Sequence, residues 1–470
     1  MNVLYYFKNI ITIAFQKPYN ISSEEGRSKE RQRRIALTAF TGIIAKAFSM
    51  LIPLITIKIT LNYLGVEIYG LWNAVSTFFA LFLFADLGLG NGLQTKLSQA
   101  NGTDDMVLCR KLISSTYSLL TFFAIILFLI FVLIFNHIDW SMLMNATTNS
   151  AKSLVNGIVF IIVLAQIVSI PITIVQRTQL ALQEGYISFI WSCIGSIFNL
   201  FFVVIITKLD LGCLILIGFS AFSMVLASGL NMIIYYRYNR KEFKPSIKFI
   251  DKTLIAELLR MGILFCIVSV LMTIGLSMDT FIVARNYSLS EAASYSIIYK
   301  ISSIEAGIVG IITLPLWGVN GEAMVRGDYE WVKRNTKRMS YSLVIMTIIM
   351  AIIILFSSKF IFKVWLGENF SFSFGALIWL CILPIITSFV SPYFMVLNAA
   401  GLIKEQVLLY SIFTPICFLL KYFFSLKYDI FIIPFIGDIC YLLILVPATI
   451  YYANKELNQE RRNYNFVSEK

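Results

Sequence analysis

The stretch LISSTYSLLTFFAIILFLIFVLIF, residues 112–135, decides the fold. It contains no charged residue and follows directly on Arg110 and Lys111. At 1.5 Å rise per residue, a helix over these residues reaches about 36 Å. That exceeds the ~30 Å hydrocarbon core of a bilayer. An isolated strand cannot satisfy its backbone in lipid, so the predicted form is a membrane-spanning helix. The short alternating segments of a membrane barrel do not occur.

Similar apolar runs flank this one on both sides. They cover 35–62, 68–93, 153–176, 186–207, 211–236, 258–283, 291–315, 339–362, 372–397, 404–425 and 429–452. With 112–135 they make twelve expected spans. The chain is 58% hydrophobic and 14% charged, whereas soluble domains carry about 25% charged residues. The gaps leave no room for a separate folded domain. The expected class is an all-α polytopic membrane protein.

Charge sets the orientation. Arg27, Lys29, Arg31, Arg33 and Arg34 precede the first span, and Lys96, Arg110 and Lys111 follow the second. Further basic residues fall at Arg177, Arg237–Lys252, Arg326–Arg338, Lys404 and Lys455–Arg462, in every second gap. The alternate gaps hold little more than Lys152, Lys208, Arg285, Lys359, Lys363 and Lys427. Positive loops stay in the cytoplasm, so both termini are expected there. The net charge of +12 is explained by these loops and not by nucleic-acid binding.

The expected organisation is a cytoplasmic N-terminal segment 1–34, a six-helix lobe 35–236, a basic linker 237–257, a second six-helix lobe 258–452 and a tail 453–470. Within the first segment, Leu4, Phe7, Ile10, Ile11 and Ala14 recur at helical spacing and predict an interfacial helix. No small-residue cleavage site follows, so no signal peptide is expected. Asn62, Tyr63 and Glu67 return as Asn286, Tyr287 and Glu291 at one constant offset, in the same gap of each lobe. Asn91-Gly92 and Asn320-Gly321 form a second such match. Two parallel repeats related by an axis along the membrane normal are the expected symmetry.

Enzyme chemistry finds no support. The seven cysteines form no CxxC pair and read as small buried hydrophobes. His137 is the single histidine, which excludes a histidine metal cluster or a Ser–His–Asp triad. Walker A and HExxH motifs are missing, and Gly88-Leu89-Gly90-Asn91-Gly92 does not follow a strand, so it is no dinucleotide fingerprint. No metal or other cofactor is expected.

Ionisable side chains inside spans cost about 2.5–3.5 kcal/mol each and so favour a cavity or a partner. Lys46, Lys58, Asp86, Asp279, Lys300, Glu305, Lys421 and Asp438 fall inside the predicted spans. Lys46 lies roughly 16 Å from the cytoplasmic end, and Lys300 and Glu305 lie roughly 13–21 Å from the outer end, too deep for easy snorkelling. Lys58 and Lys421 sit near outer ends and can snorkel. Asp279 can pair with Arg285 at the mouth, and Asp438 can serve packing alone. Lys300 and Glu305 are five residues apart, about 140° around a helix, so they need not meet. Pro53, on the face of Lys46, is the proline expected to act as a hinge. Trp72, Phe79 and Asp86 share another face, where aromatic packing and function are both open.

Leu64-Gly65-Val66-Glu67-Ile68-Tyr69-Gly70-Leu71-Trp72, followed by Asp86-Leu87-Gly88-Leu89-Gly90, resembles the first two spans of Wzx-type bacterial polysaccharide flippases. These belong to the multidrug/oligosaccharidyl-lipid/polysaccharide (MOP) exporter superfamily. The resemblance implies a MATE-like inverted V, with two six-helix lobes around a central cavity. It implies movement of undecaprenyl-diphosphate-linked oligosaccharide between leaflets of the bacterial inner membrane by alternating access, coupled to H+ or Na+. Implied partners are the lipid-linked oligosaccharide, membrane lipids, a polysaccharide polymerase and a chain-length regulator. Lipid II flippases are similar but have two further spans.

A diphosphate crossing hydrocarbon needs fixed positive charge. Lys46 and Lys300, one per lobe, are the expected contacts, with Lys58 as a third candidate. A lysine is a releasable point charge where an arginine would clamp. Asp86, Glu305, Asp279 and Asp438 are the candidates for ion coupling and gating. A cation-coupled multidrug exporter is the alternative and calls for an acidic, aromatic cavity. A membrane polymerase or ligase would need a large outer loop rich in Arg or His, and none is present.

Overall fold

The computed structural model describes residues 16–20, 23–80, 88–144, 146, 148–287, 289–366 and 372–458. Among them the chain is helical and has no strand. The expected interfacial helix over residues 1–17 lies almost wholly outside the described residues, as does the tail from 459. Eleven helices are long and apolar enough to cross a membrane. The remaining expected span, 68–93, contains residues 81–87, which are outside the described part.

The chain divides into two compact units, Met1–Ile263 and Leu264–Lys470. In the first unit, α1 (Glu24–Ala80) is followed by α2 (Leu89–Gly102), α3 (Met106–Phe135), the short α4 (Trp140–Leu143), α5 (Asn149–Ile172), α6 (Ile174–Ala181), α7 (Gly185–Lys208) and α8 (Cys213–Ile234). α7 packs against α1 and α8, and α5 against α8, α1 and α3. α2 lies on α3 and α6.

The loop expected between spans one and two is a single residue. Gly65 stands at φ 75°, ψ 164° between two helical stretches of α1. That backbone conformation is open almost only to glycine. A second difference lies at the N-terminus. The polar stretch expected to lead into the first span is already helix from Glu24. Glu30 is buried and explains this: its carboxylate accepts from Arg33 Nη2 at 2.7 Å and Arg34 Nε at 2.9 Å.

The basic linker is strapped to the first unit. A π-helical turn, Tyr235–Asn239, and two 3-10 turns, Lys241–Phe243 and Ile247–Phe249, follow α8. Arg110 donates to Lys244 O at 3.1 Å and lies over the Phe249 ring. Ser114 and Ser115, buried polar residues of α3, accept the backbone N–H groups of Ser246 and Asp251 at 3.1 and 3.0 Å. Lys111 Nζ pairs with Asp251 at 3.2 Å. These bonds carry the unit past the linker, and the division falls inside α9 (Lys252–Ser277).

The second unit continues from α9 into α10 (Asp279–Asn286), α11 (Leu289–Val325), α12 (Tyr329–Leu366), α13 (Phe374–Ala400), α14 (Ile403–Ser425), α15 (Ile432–Cys440), a π-helical turn over Tyr441–Leu445 and α16 (Val446–Leu457). α13 is central and packs against α11, α12, α15 and α16. Helix ends are satisfied as short-range chemistry dictates: Asp105, Thr148 and Ser373 accept backbone N–H groups at the starts of α3, α5 and α13.

Candidate functional site

Where α9 gives way to α10 the helix breaks at Met278, and carbonyls of the last turn of α9 are released from helical bonding. α14 lays donors along this end of α9. Thr414, Cys417 and Lys421 stand at i, i+3 and i+7, on one helical face. Thr414 Oγ1 donates to Leu271 O at 2.9 Å, and Lys421 Nζ donates to Gly275 O at 3.3 Å. The Cys417 thiol lies 3.8 Å from the same Gly275 oxygen. The helices approach closely: a Cβ on Gly275 would stand 2.8 Å from the Phe413 ring.

At this break Lys421 Nζ meets Asp279 Oδ1 at 2.6 Å. The side chains are only 3% and 8% exposed. Tyr295 of α11, also buried, donates to Asp279 Oδ2 at 3.0 Å. From α15, Asp438 is 1% exposed, and neither of its oxygens has a hydrogen-bond partner. The Lys421 stem passes beside Gly437, where a Cβ would be 3.0 Å from Cε and 3.1 Å from Nζ.

Two sequence expectations are corrected here. Lys421 does not snorkel; it is buried and ion-paired. Asp279 pairs with Lys421, 142 positions along the chain, while Arg285 is exposed. The physical reason is the helix break, which points an acceptor and a carboxylate at α14.

The other described candidates lie on α1 of the first unit and α11 of the second. Lys46 is half-buried on α1, and Lys58 is exposed on the same helix. Pro53 lies within α1 and removes one helical hydrogen bond seven residues after Lys46. Lys300 is exposed on α11, and Glu305 on the same helix is fully buried, with neither carboxylate oxygen hydrogen-bonded. Lys300 and Glu305 therefore face different surroundings, as their spacing predicts. Asp86 lies outside the described residues.

Sequence reasoning missed a polar core in the first unit. Gln179 and Asn231 exchange amide hydrogen bonds at 2.8 and 3.1 Å, and Ser188 donates to Gln179 Oε1 at 2.5 Å. Tyr235 donates to Glu184 at 2.6 Å, and Arg240 pairs with the same carboxylate. Asn231 stands singly in an apolar run, and Gln179 belongs to the polar stretch Gln176–Gln179 at the end of the predicted span, so residue type was the available signal.

The polysaccharide biosynthesis protein family matches residues 38–315, more than half of the chain. A curated relative from Yersinia pseudotuberculosis, described as "Putative O-antigen export protein", is 23% identical over 368 residues, covering 77% of this chain and 82% of its own. Among solved structures, MATE in the bent conformation aligns with a TM-score of 0.79 at 13% identity, over 93% of this chain and 98% of that one. An outward-facing multidrug resistance MATE family transporter of the MOP superfamily aligns with a TM-score of 0.77 at 12% identity, over 92% and 97%. A MOP superfamily transporter from Pyrococcus furiosus, described as having reversed binding-pocket polarity, aligns with a TM-score of 0.73 at 13% identity, over 95% and 98%. These relatives and neighbours are transporters and not enzymes. The chain belongs to the polysaccharide biosynthesis protein family, and it is a multi-pass membrane protein with the fold of the solved MATE transporters.

Proposed function

We propose that the chain moves lipid-diphosphate-linked oligosaccharide repeat units from the inner to the outer leaflet of the bacterial cytoplasmic membrane, with both termini in the cytoplasm. The observation that carries this reading is the family match over residues 38–315, supported by the O-antigen export relative. The MATE-like fold suits alternating access, and it is common to exporters of other cargo. Lys46 and Lys300, with Lys58 in support, meet the diphosphate, whose two or so negative charges would otherwise be excluded from hydrocarbon. Asp86, Glu305, Asp279 and Asp438 serve coupling to an ion gradient, and Pro53 serves the bending of α1. Lipid-linked oligosaccharide and membrane lipids are the direct partners; a polysaccharide polymerase and a chain-length regulator are the assembly partners.

The test is complementation of a deletion strain. Lys46→Ala and Lys300→Ala should abolish surface polysaccharide while the protein still inserts in the membrane. Normal polysaccharide from both variants removes the diphosphate site. Normal polysaccharide in the deletion strain itself, with raised drug sensitivity, replaces this reading with a multidrug exporter.

A further inference from the structure

The cluster at the α9–α10 break holds two carboxylates and one ammonium. Asp279 uses both its oxygens, one on Lys421 and one on Tyr295. Asp438 is nine-tenths buried and more, lies within electrostatic reach of Lys421, Asp279 and Tyr295, and has no donor on either oxygen. A carboxylate without a partner in such surroundings is costly, and neutralisation is the ordinary escape. The titratable groups around Asp438 come from several elements. α10 brings Asp279; α11 brings Tyr295; α14 brings Cys417 and Lys421, and α15 itself brings Cys440. α13, also packed on α15, has no charged residue.

We propose that Asp438 is a proton-binding site and that Lys421 is its switch, shared between Asp279 and Asp438. This rests on the reading of the chain as a gradient-coupled transporter and specifies the ion. With the proton on Asp438, the cluster is neutral and Lys421 is held by Asp279, as observed. Loss of that proton leaves two carboxylates and one ammonium, a net charge of −1. Lys421 is then drawn towards Asp438. The passage is open, because Gly437 presents no Cβ beside the Lys421 Nζ. Drawing Lys421 away weakens its bonds to Asp279 and Gly275 O, the ties between α14 and the α9–α10 break. Proton binding thereby sets how firmly α14 is held. A sodium ion is disfavoured at the same place, since the Lys421 ammonium already stands there with like charge.

The test is infrared difference spectroscopy of the full chain in liposomes at neutral pH. Subtracting Asp438→Asn from wild type should reveal the C=O stretch of a protonated carboxylic acid. The band should vanish as pH rises and should be the same in sodium and potassium buffers. A subtraction that shows only carboxylate bands overturns the proposal, and so does an acid band displaced by sodium at constant pH. Should Asp438→Asn fail to fold, Lys421→Met supplies the check: Asp279 loses its cation, so a second acid band is expected, and its lack overturns the switch. In the same liposomes an imposed pH gradient should accelerate movement of lipid-linked oligosaccharide in wild type and not in Asp438→Asn. If wild type moves no oligosaccharide while the acid band stands, the flippase reading falls and the proton site survives. If oligosaccharide moves under a pH gradient without the band, the site falls and the flippase reading survives.

Discussion

Tyr63 Oη donates to Asp210 Oδ1 at 2.7 Å and accepts from the Gly212 backbone N–H at 2.9 Å, pinning the end of the first span to the α7–α8 turn. Its repeat counterpart Tyr287 donates to Tyr428 O at 2.5 Å, in the turn between α14 and α15. Asn286 adds bonds to Tyr422 O at 3.1 Å and Ser425 Oγ at 2.6 Å. Each unit therefore uses the same short motif to tie its first span to its last helical hairpin. Glu67, the third member of the motif, accepts from Thr148 Oγ1 at 2.8 Å at the start of α5. An anion there also suits the positive end of that helix.

Tyr63→Phe removes one hydroxyl that bridges two partners and should destabilise the protein by about 1 kcal/mol. Tyr287→Phe should do the same in the second unit. Thermal unfolding in detergent measures both. A Tyr63→Phe, Asp210→Asn double variant should lose no more than the sum, because the two residues share one bond.

Lys421→Ala leaves the Asp279 carboxylate buried without its cation and should cost about 3–5 kcal/mol. Replacing the pair together, as Lys421→Met with Asp279→Asn, should restore most of that loss. Fluorescence-detected gel filtration after a heating series reads the difference. Equal losses in the single and double variants would show that the pair is not the source.

Gly65→Ala should destabilise the turn in α1 by about 1–3 kcal/mol, through the backbone alone. Nothing from elsewhere in the protein lies within 4 Å of the added Cβ, so a clash with a packed neighbour is not the cause. Gly65→Asn should be no better than alanine, because ψ 164° lies far from the left-handed helical region that asparagine tolerates. Thermal unfolding of the two variants side by side checks this.

Hydrogen bonds from Thr253 and from Lys111 hold the Asp251 carboxyl down at about 2, below its usual 3.8. A depressed carboxyl contributes stability above its unfolded value and loses it as pH falls through the folded one. Linker docking should therefore be intact above about pH 4 and weaken between there and about pH 2. Proteolysis by an acid protease within 240–252 measures the release. Asp251→Asn should show raised cleavage already at neutral pH with a protease active there.

The sequence alone determined the spans, their helical form and the recurrence of Tyr63 as Tyr287, since each is local. A run of uncharged residues either matches the bilayer thickness or does not, at a fixed rise per residue. The divergence of Lys300 and Glu305 around one helix was legible for the same reason. Only the tertiary structure decided that Lys421 pairs with Asp279, that Asp438 joins them without a bond, and that the linker rides on α3. Those outcomes depend on which helical faces meet. A break at Met278 and the missing side chains of Gly275 and Gly437 set how close the faces come. Helical spacing says which residues share a face, but close packing across 142 positions says whom they touch.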